Sequence, residues 1–167
     1  MPAPRHNLQR FEPLEPDELE FLQTRYRTGA RQFYSLMKYL LVAVVLIPLF
    51  FLLLHDLFVL VDEFTSSQVW FFGQLTTLTL FFVAFIAGYV KVIHPFESDL
   101  KKKVKVVETT LVHEKKFMPH NATYHFYVHA EPIYTIEVDA DTYHRFEVSD
   151  EINIEYTPRT EIFLGYF

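Results

Sequence analysis

"LMKYLLVAVVLIPLFFLLL", residues 36–54, decides the class of this chain. A helix needs about 20 consecutive apolar residues to cross a hydrocarbon layer about 30 Å thick. This stretch reaches that length, with Lys38 near its start as the one charge. Pro48 lies inside it, and its missing N–H frees a carbonyl and predicts a kink. Membrane helices tolerate such a break better than soluble ones. His55 and Asp56 follow at once, where a helix starting near Leu36 leaves the hydrocarbon. The pair is read as interfacial rather than as a buried proton relay, because the remaining apolar sequence offers it no ionisable partner. The "LFVLV" that follows is expected along the outer membrane surface.

A second apolar run, "VWFFGQLTTLTLFFVAFIAGYVKVI", covers residues 69–93. Trp70 marks one interface and Tyr89 the other, and Lys91 can snorkel to the headgroups. Gly73, Thr77, Ala84 and Gly88 fall near one helical face, a small-residue face suited to close packing on the first span. Gln74, Thr76 and Thr79 read as glue between helices rather than an ion path, since conducting intramembrane groups are usually ionisable.

Lys and Arg beside the spans set the orientation. Arg25, Arg27, Arg31 and Lys38 precede or open the first, and Lys91, Lys101, Lys102, Lys103 and Lys105 close or follow the second. The connecting segment has no Lys or Arg and carries Asp56, Asp62 and Glu63. Both termini are therefore expected in the cytoplasm. The polar first 35 residues lack a signal-peptide core, so the first span is expected to act as an uncleaved anchor. Residues 1–12 read as a disordered tail. Residues 13–35 read as an amphipathic helix running into the first span, with Leu19, Leu22, Tyr26, Phe33 and Met37 at helical spacing. Asp17 and Glu20 look like its capping signal, and Pro13 and Pro16 block extension backward. That helix faces anionic lipid, a partner, or the chain's own C-terminal domain.

His94-Pro95 is expected to end the second helix, and residues 95–167 then turn to strand-like alternation. "KKKVKVVETTLVHEKKF", "TYHFYVHA", "IYTIEVD", "INIEY" and "EIFLGYF" read as five strands. Tyr124, Phe126 and Val128 share one face of the second. "ADTYHRF" reads as a short helical turn and "TPRT" as a turn. Five strands in about 70 residues predict a small antiparallel sheet or partly open barrel of SH3-like or OB-like kind. The fold class is thus membrane α+β, a two-helix transmembrane hairpin (36–55 and 69–93) followed by this β-domain.

"YHRFEVSDEINIEYTPRTEIFL" resembles a segment of uncharacterised bacterial two-span membrane proteins that carry a small β-barrel after their hairpin. Tyr143, Phe146, Asp150, Tyr156, Pro158 and Thr160 match the pattern, and Ser149 stands where a Gly is commonest. The resemblance implies a fold rather than an activity, and an inner-membrane location in a bacterium. The layout is also similar to that of NfeD-like proteins, membrane-anchored OB domains that accompany membrane scaffolding proteins or proteases.

Composition narrows the chemistry. The chain has 167 residues, no Cys and four Gly, with a net charge of −6. Thiolate sites are excluded, glycine-rich phosphate loops nearly so, and the charge gives no case for nucleic acid. No nucleophile or metalloprotease motif occurs. His125 and His129, with Glu114 or Glu131 nearby, are weak metal candidates. The sequon at Asn121 is unused on the expected side of the membrane. "KKKVK" suits acidic headgroups or simply sets topology. The expectation is a non-enzymatic accessory or scaffolding protein without a cofactor. Its partners would be the bilayer and either a membrane protein or copies of itself. An oligomeric transport or channel component and a membrane-anchored metal or ligand sensor are the alternatives.

Overall fold

A computed structural model describes residues 9–58 and 66–167. The chain forms two compact units. One is Leu22–Glu97, and the other joins Ser98–Phe167 to the N-terminal residues up to Phe21.

Helix α1 runs unbroken from Pro16–Phe58, 43 residues or about 64 Å at the α-helical rise. It carries the amphipathic stretch up to residue 35 directly into the first apolar run. No proline interrupts residues 17–47, and the single Gly29 costs helix stability without breaking it. The start differs from expectation. The Glu15 N–H donates to Glu18 Oε2 at 2.7 Å, the returning half of a capping box, set just upstream of Pro16 rather than at Asp17 and Glu20. Pro16 is the first helical residue, since a first-turn residue needs no N–H donor, and the helix extends no further back.

Helix α2 spans Ser66–Gly88. It continues through one wide turn, Tyr89–Ile93, into α3, His94–Lys102. His94-Pro95 therefore does not end the helix, contrary to expectation. Pro95 lacks the N–H that would bond four residues back. The wide turn just before it lets the His94 N–H reach Tyr89 O, five residues back, the register of a π-bulge. The end comes at Lys103, in the left-handed region at φ 53°, whose N–H closes on Asp99 O at 2.8 Å.

In the helical unit α1 and α2 lie antiparallel. Phe33 meets Gly88, Val44 meets Thr77 and Pro48 meets Gly73. Phe33, Met37 and Ile93 are buried, with Phe81, Phe85 and Tyr89 packed on them. Most other apolar side chains point outward, among them Leu41, Val45, Leu49, Phe50, Phe71, Phe82, Val83 and Ile86. Both helices are long and apolar enough to cross a membrane.

The second unit is a curled antiparallel sheet, a half-barrel, built on the long strand β2, Val104–Met118. Strand β5 (Glu151–Tyr156) pairs with Val106–Leu111. Strand β3 (Thr123–Val128) pairs with the far half of β2 after a bulge between Val112 and Glu114. Strands β4 (Thr135–Val138) and β6 (Phe163–Tyr166) extend the sheet to the order β4-β3-β2-β5-β6. A sixth strand, β1 (Gln9–Pro13), pairs with Val104–Glu108 on the edge opposite β5. Residues 9–12 were expected in a disordered tail. They are held because this stretch of β2 would otherwise present unpaired N–H and C=O groups along its free edge.

Alternate residues fill the concave side: Val106, Val112, Phe126, Val128, Ile136, Val138, Ile152, Ile154 and Tyr156. The expected face of Tyr124, Phe126 and Val128 is among them. The turn "ADTYHRF" is helix α4, Ala140–Arg145, capped by Asp139. The Tyr166 hydroxyl on β6 donates to Asp139 Oδ2 at 2.8 Å just past β4, so the curl brings the two ends of the sheet within one hydrogen bond.

Candidate functional site

The helix contact is a lock between a proline and small residues. A Cβ built on Gly73 would sit 3.4 Å from Pro48 Cβ, and one on Gly88 only 2.6 Å from Phe33 Cε2. Pro48 leaves Val44 O without its usual donor four residues on. The Thr77 hydroxyl lies 3.3 Å from that oxygen, and 3.0 Å from Gly73 O in its own helix. It also lies 3.2 Å from Gln74 O, so its single proton is shared among three carbonyls. Ala84, placed on the same face from sequence, is exposed. The contact follows the i+4 ridge through residues 73, 77, 81 and 85, so Phe81 and Phe85 take the place expected for it.

At the end of the hairpin the Glu97 carboxylate accepts from two phenols, Tyr26 at 3.2 Å and Tyr89 at 2.9 Å. Trp70, Lys91, Lys101, Lys102 and Lys103 are all exposed. The backbone of His55 and Asp56 belongs to α1, and their side chains lie outside the described residues, as does the "LFVLV" segment from residue 59.

The β-unit holds three polar clusters that sequence reading did not find. Lys105 lies 2.7 Å from Glu18 and 3.0 Å from Glu155, with 5% of its side chain exposed. Burial works against its charge, but the hydrogen bonds it donates to Glu18 and Glu155 outweigh that and its pKa is raised. Glu108, buried on the concave face, accepts from the Tyr156 hydroxyl at 2.7 Å and from Gln9 Nε2 at 2.9 Å. Burial, then the Glu108 contact, raises the Tyr156 pKa well above the tyrosine range, which keeps the phenol a donor. Asp99, fully buried near the end of α3, accepts from the Arg159 N–H at 3.2 Å, the Thr160 N–H at 2.8 Å and Thr160 Oγ1 at 2.9 Å. The signal available in sequence was the charge inside the apolar alternation "VKVVETTLV". It marks Lys105 and Glu108 as anomalous without naming their partners.

The motif residues take structural places. Tyr143 packs on Tyr124 and Phe126, and Phe146 on Phe126. Asp150 Oδ2 accepts from the Glu147 N–H at 2.7 Å. Ser149 adopts φ 82°, a left-handed conformation that explains a preference for Gly there. Pro158 opens the turn that Thr160 and Asp99 close, and Thr160 also meets the Thr157 hydroxyl at 2.5 Å. Asp139 accepts from the Thr142 N–H, the Thr142 hydroxyl and the Tyr166 hydroxyl, which hold its carboxyl well below the usual range.

The two candidate histidines have different neighbours. His125 bonds Thr123 Oγ1 at 2.8 Å, and His129 lies beside His113 with ring centroids 4.5 Å apart. Among the described residues no group of three or more His, Asp or Glu side chains could hold a metal ion. Chemically, the polar groups of the β-unit join strands, turns and helix ends to one another. Comparison with family models, with curated proteins and with solved structures finds no match for the chain.

Proposed function

We propose that this chain is a non-enzymatic, membrane-anchored accessory or scaffolding protein. In this reading α1 and α2 cross the bilayer as a hairpin, and the half-barrel offers its surface to a partner on the cytoplasmic side. The observation that carries it is the outward-facing apolar surface of both helices, from Leu36 to Leu53 and from Trp70 to Ile86. Lipid would be the solvent for such a surface, while water would leave a patch far beyond what soluble monomers expose. Charged residues support the orientation: cations cluster where the helices meet the polar ends of the chain, and carboxylates lie in the connection. The outer edges of β4 and β6, which pair with no further strand among the described residues, and the exposed Phe117, Tyr134 and Val148 give the sheet surface for a protein partner, by strand addition or by side-chain packing. The partner would be another membrane protein or further copies of this chain.

A reporter fused after Phe167 should be active only in a cytoplasmic format, and the fusion should stay in the membrane pellet after alkaline carbonate extraction. Release by carbonate would refute the anchor. Activity in an exported format would reverse the orientation. Equally, intact-complex sizing after capture in mild detergent should find a stoichiometric partner or a homo-oligomer; a bare monomer would argue against a scaffolding role.

A further inference from the structure

We propose that the end of the helical hairpin carrying Arg27, Arg31, Lys38 and Lys91 binds the headgroups of anionic phospholipids. The inference rests on the spanning reading and goes beyond it, from a bilayer to a class of lipid.

Arg27, Arg31 and Lys38 lie within about 40° of one another around α1, over about 16 Å of its length. All three are exposed. Their stripe is turned roughly 120° from the face that packs on α2 through Phe33, Met37 and Val44. The antiparallel contacts of Phe33 with Gly88 and Val44 with Thr77 place exposed Lys91 at the level of Ala30 and Arg31. The cations thus form one layer around the hairpin, with Lys38 reaching further into the apolar stretch.

This layer has no carboxylate of its own. From Phe21 to Leu54 and from Ser66 to Phe96 the sequence contains no Asp or Glu. Glu97 comes next, and its two oxygens accept from Tyr26 and Tyr89. The positive charge therefore looks outward for its counter-ion. Along the same stripe α1 exposes Tyr34, Val42, Val45 and Leu49, and exposed Val90 and Val92 flank Lys91. A soluble anion would satisfy the cations and leave those groups bare. An anionic phospholipid satisfies both, with phosphate on the Arg and Lys groups and its acyl chains along the apolar stripe. Lys38 suits this, since its butyl stem can lie along apolar surface while the ammonium reaches the headgroup.

The test uses the full chain reconstituted in phosphatidylcholine vesicles with trace spin-labelled phosphatidylglycerol or phosphatidylcholine. The fraction of each label immobilised at the protein gives the relative affinity. Phosphatidylglycerol should be preferred about fivefold or more, the effect of a single cation near a membrane surface. The preference should shrink in about 1 M salt, where screening acts within about 3 Å. R27Q/R31Q/K38Q should lose most of it, and R27K/R31K should keep most of it. Equal immobilisation of both labels by the wild-type chain overturns the proposal. So does a preference that the glutamine variant retains in full. A chain that does not enter vesicles of either lipid refutes the spanning reading, and the proposal falls with it. The salt titration needs no substitution, so a variant that fails to fold does not protect the idea.

Discussion

Replacing Asp99 by Asn should loosen the proline turn of the half-barrel. The Asp99 carboxylate is fully buried and accepts from the amides of Arg159 and Thr160 and from the Thr160 hydroxyl. A hydrogen bond to a charged group contributes roughly 1.5–3 kcal/mol, and a donor left without a partner costs about 1–3 kcal/mol. Asparagine keeps the shape and one acceptor oxygen but turns an NH2 toward donors. One strong contact should therefore be lost and the others weakened, a cost of about 2–3 kcal/mol. At 1.4 kcal/mol per factor of ten, the turn should open about 30- to 150-fold more often. Amide hydrogen exchange of the full chain in detergent reads this directly at residues 159 and 160. The amide of Val112, bonded to Asp150 O elsewhere in the sheet, serves as a control for global unfolding. Faster exchange at the turn with little change at Val112 is the expected result. Unchanged protection at the turn would show that the carboxylate does not hold it and would refute the reasoning.

Three further outcomes follow from other contacts. Gly88→Val should cost about 1–3 kcal/mol of thermal stability in detergent through overpacking. Adding Phe33→Leu should recover part of it, and strictly additive losses would show that the two positions do not meet. Thr77→Val should cost about 0.6 kcal/mol and no more than about 1.7, the average and the maximum for side-chain hydrogen bonds between membrane helices. That cost should shrink in a Pro48→Ala background, where Val44 O regains a backbone donor; equal costs in both backgrounds would sever the link between Pro48 and Thr77. For Lys105 the folded pKa is raised, so its contribution is complete below the ordinary lysine value of about 10.4 and disappears as pH rises through the folded value. Lys105→Met should be destabilised at neutral pH by about 3–5 kcal/mol, because two carboxylates then face each other without a cation. Its stability should also fall less steeply than wild type's in urea titrations above about pH 10.4; parallel curves would remove the ion pair from the account.

Local periodicity made much of this architecture legible. The runs at 36–54 and 69–93 are apolar all round, and no tertiary contact is needed to recognise them. The two-residue alternation of Thr123–Val128 and Glu151–Tyr156 is likewise a property of each segment alone. So are the Asp139-capped helix and the turn at "TPRT". The hidden parts join residues far apart in the chain. Strand β1 exists because Gln9–Pro13 finds the free edge of Val104–Glu108, a pairing across about ninety residues that no local pattern encodes. The continuity of α3 through Pro95 depends on a register change in the preceding turn, and the capping contact falls at Glu15 and Glu18 rather than at Asp17 and Glu20. Ala84 lost its expected place because a helical wheel defines a face while the partner helix selects one ridge on it.

What the sequence by itself determined was the order of the two apolar runs and of the alternating strands after them, and the inward face of Thr123–Val128, since these follow from spacing along one segment. Only the tertiary structure decided which buried charge meets which partner: Lys105 with Glu18 and Glu155, Glu108 with Tyr156 and Gln9, Asp99 with the proline turn. The physical reason is that burying a charge or polar group is costly anywhere in the chain, whereas the donors that offset the cost are set by where distant segments come to lie.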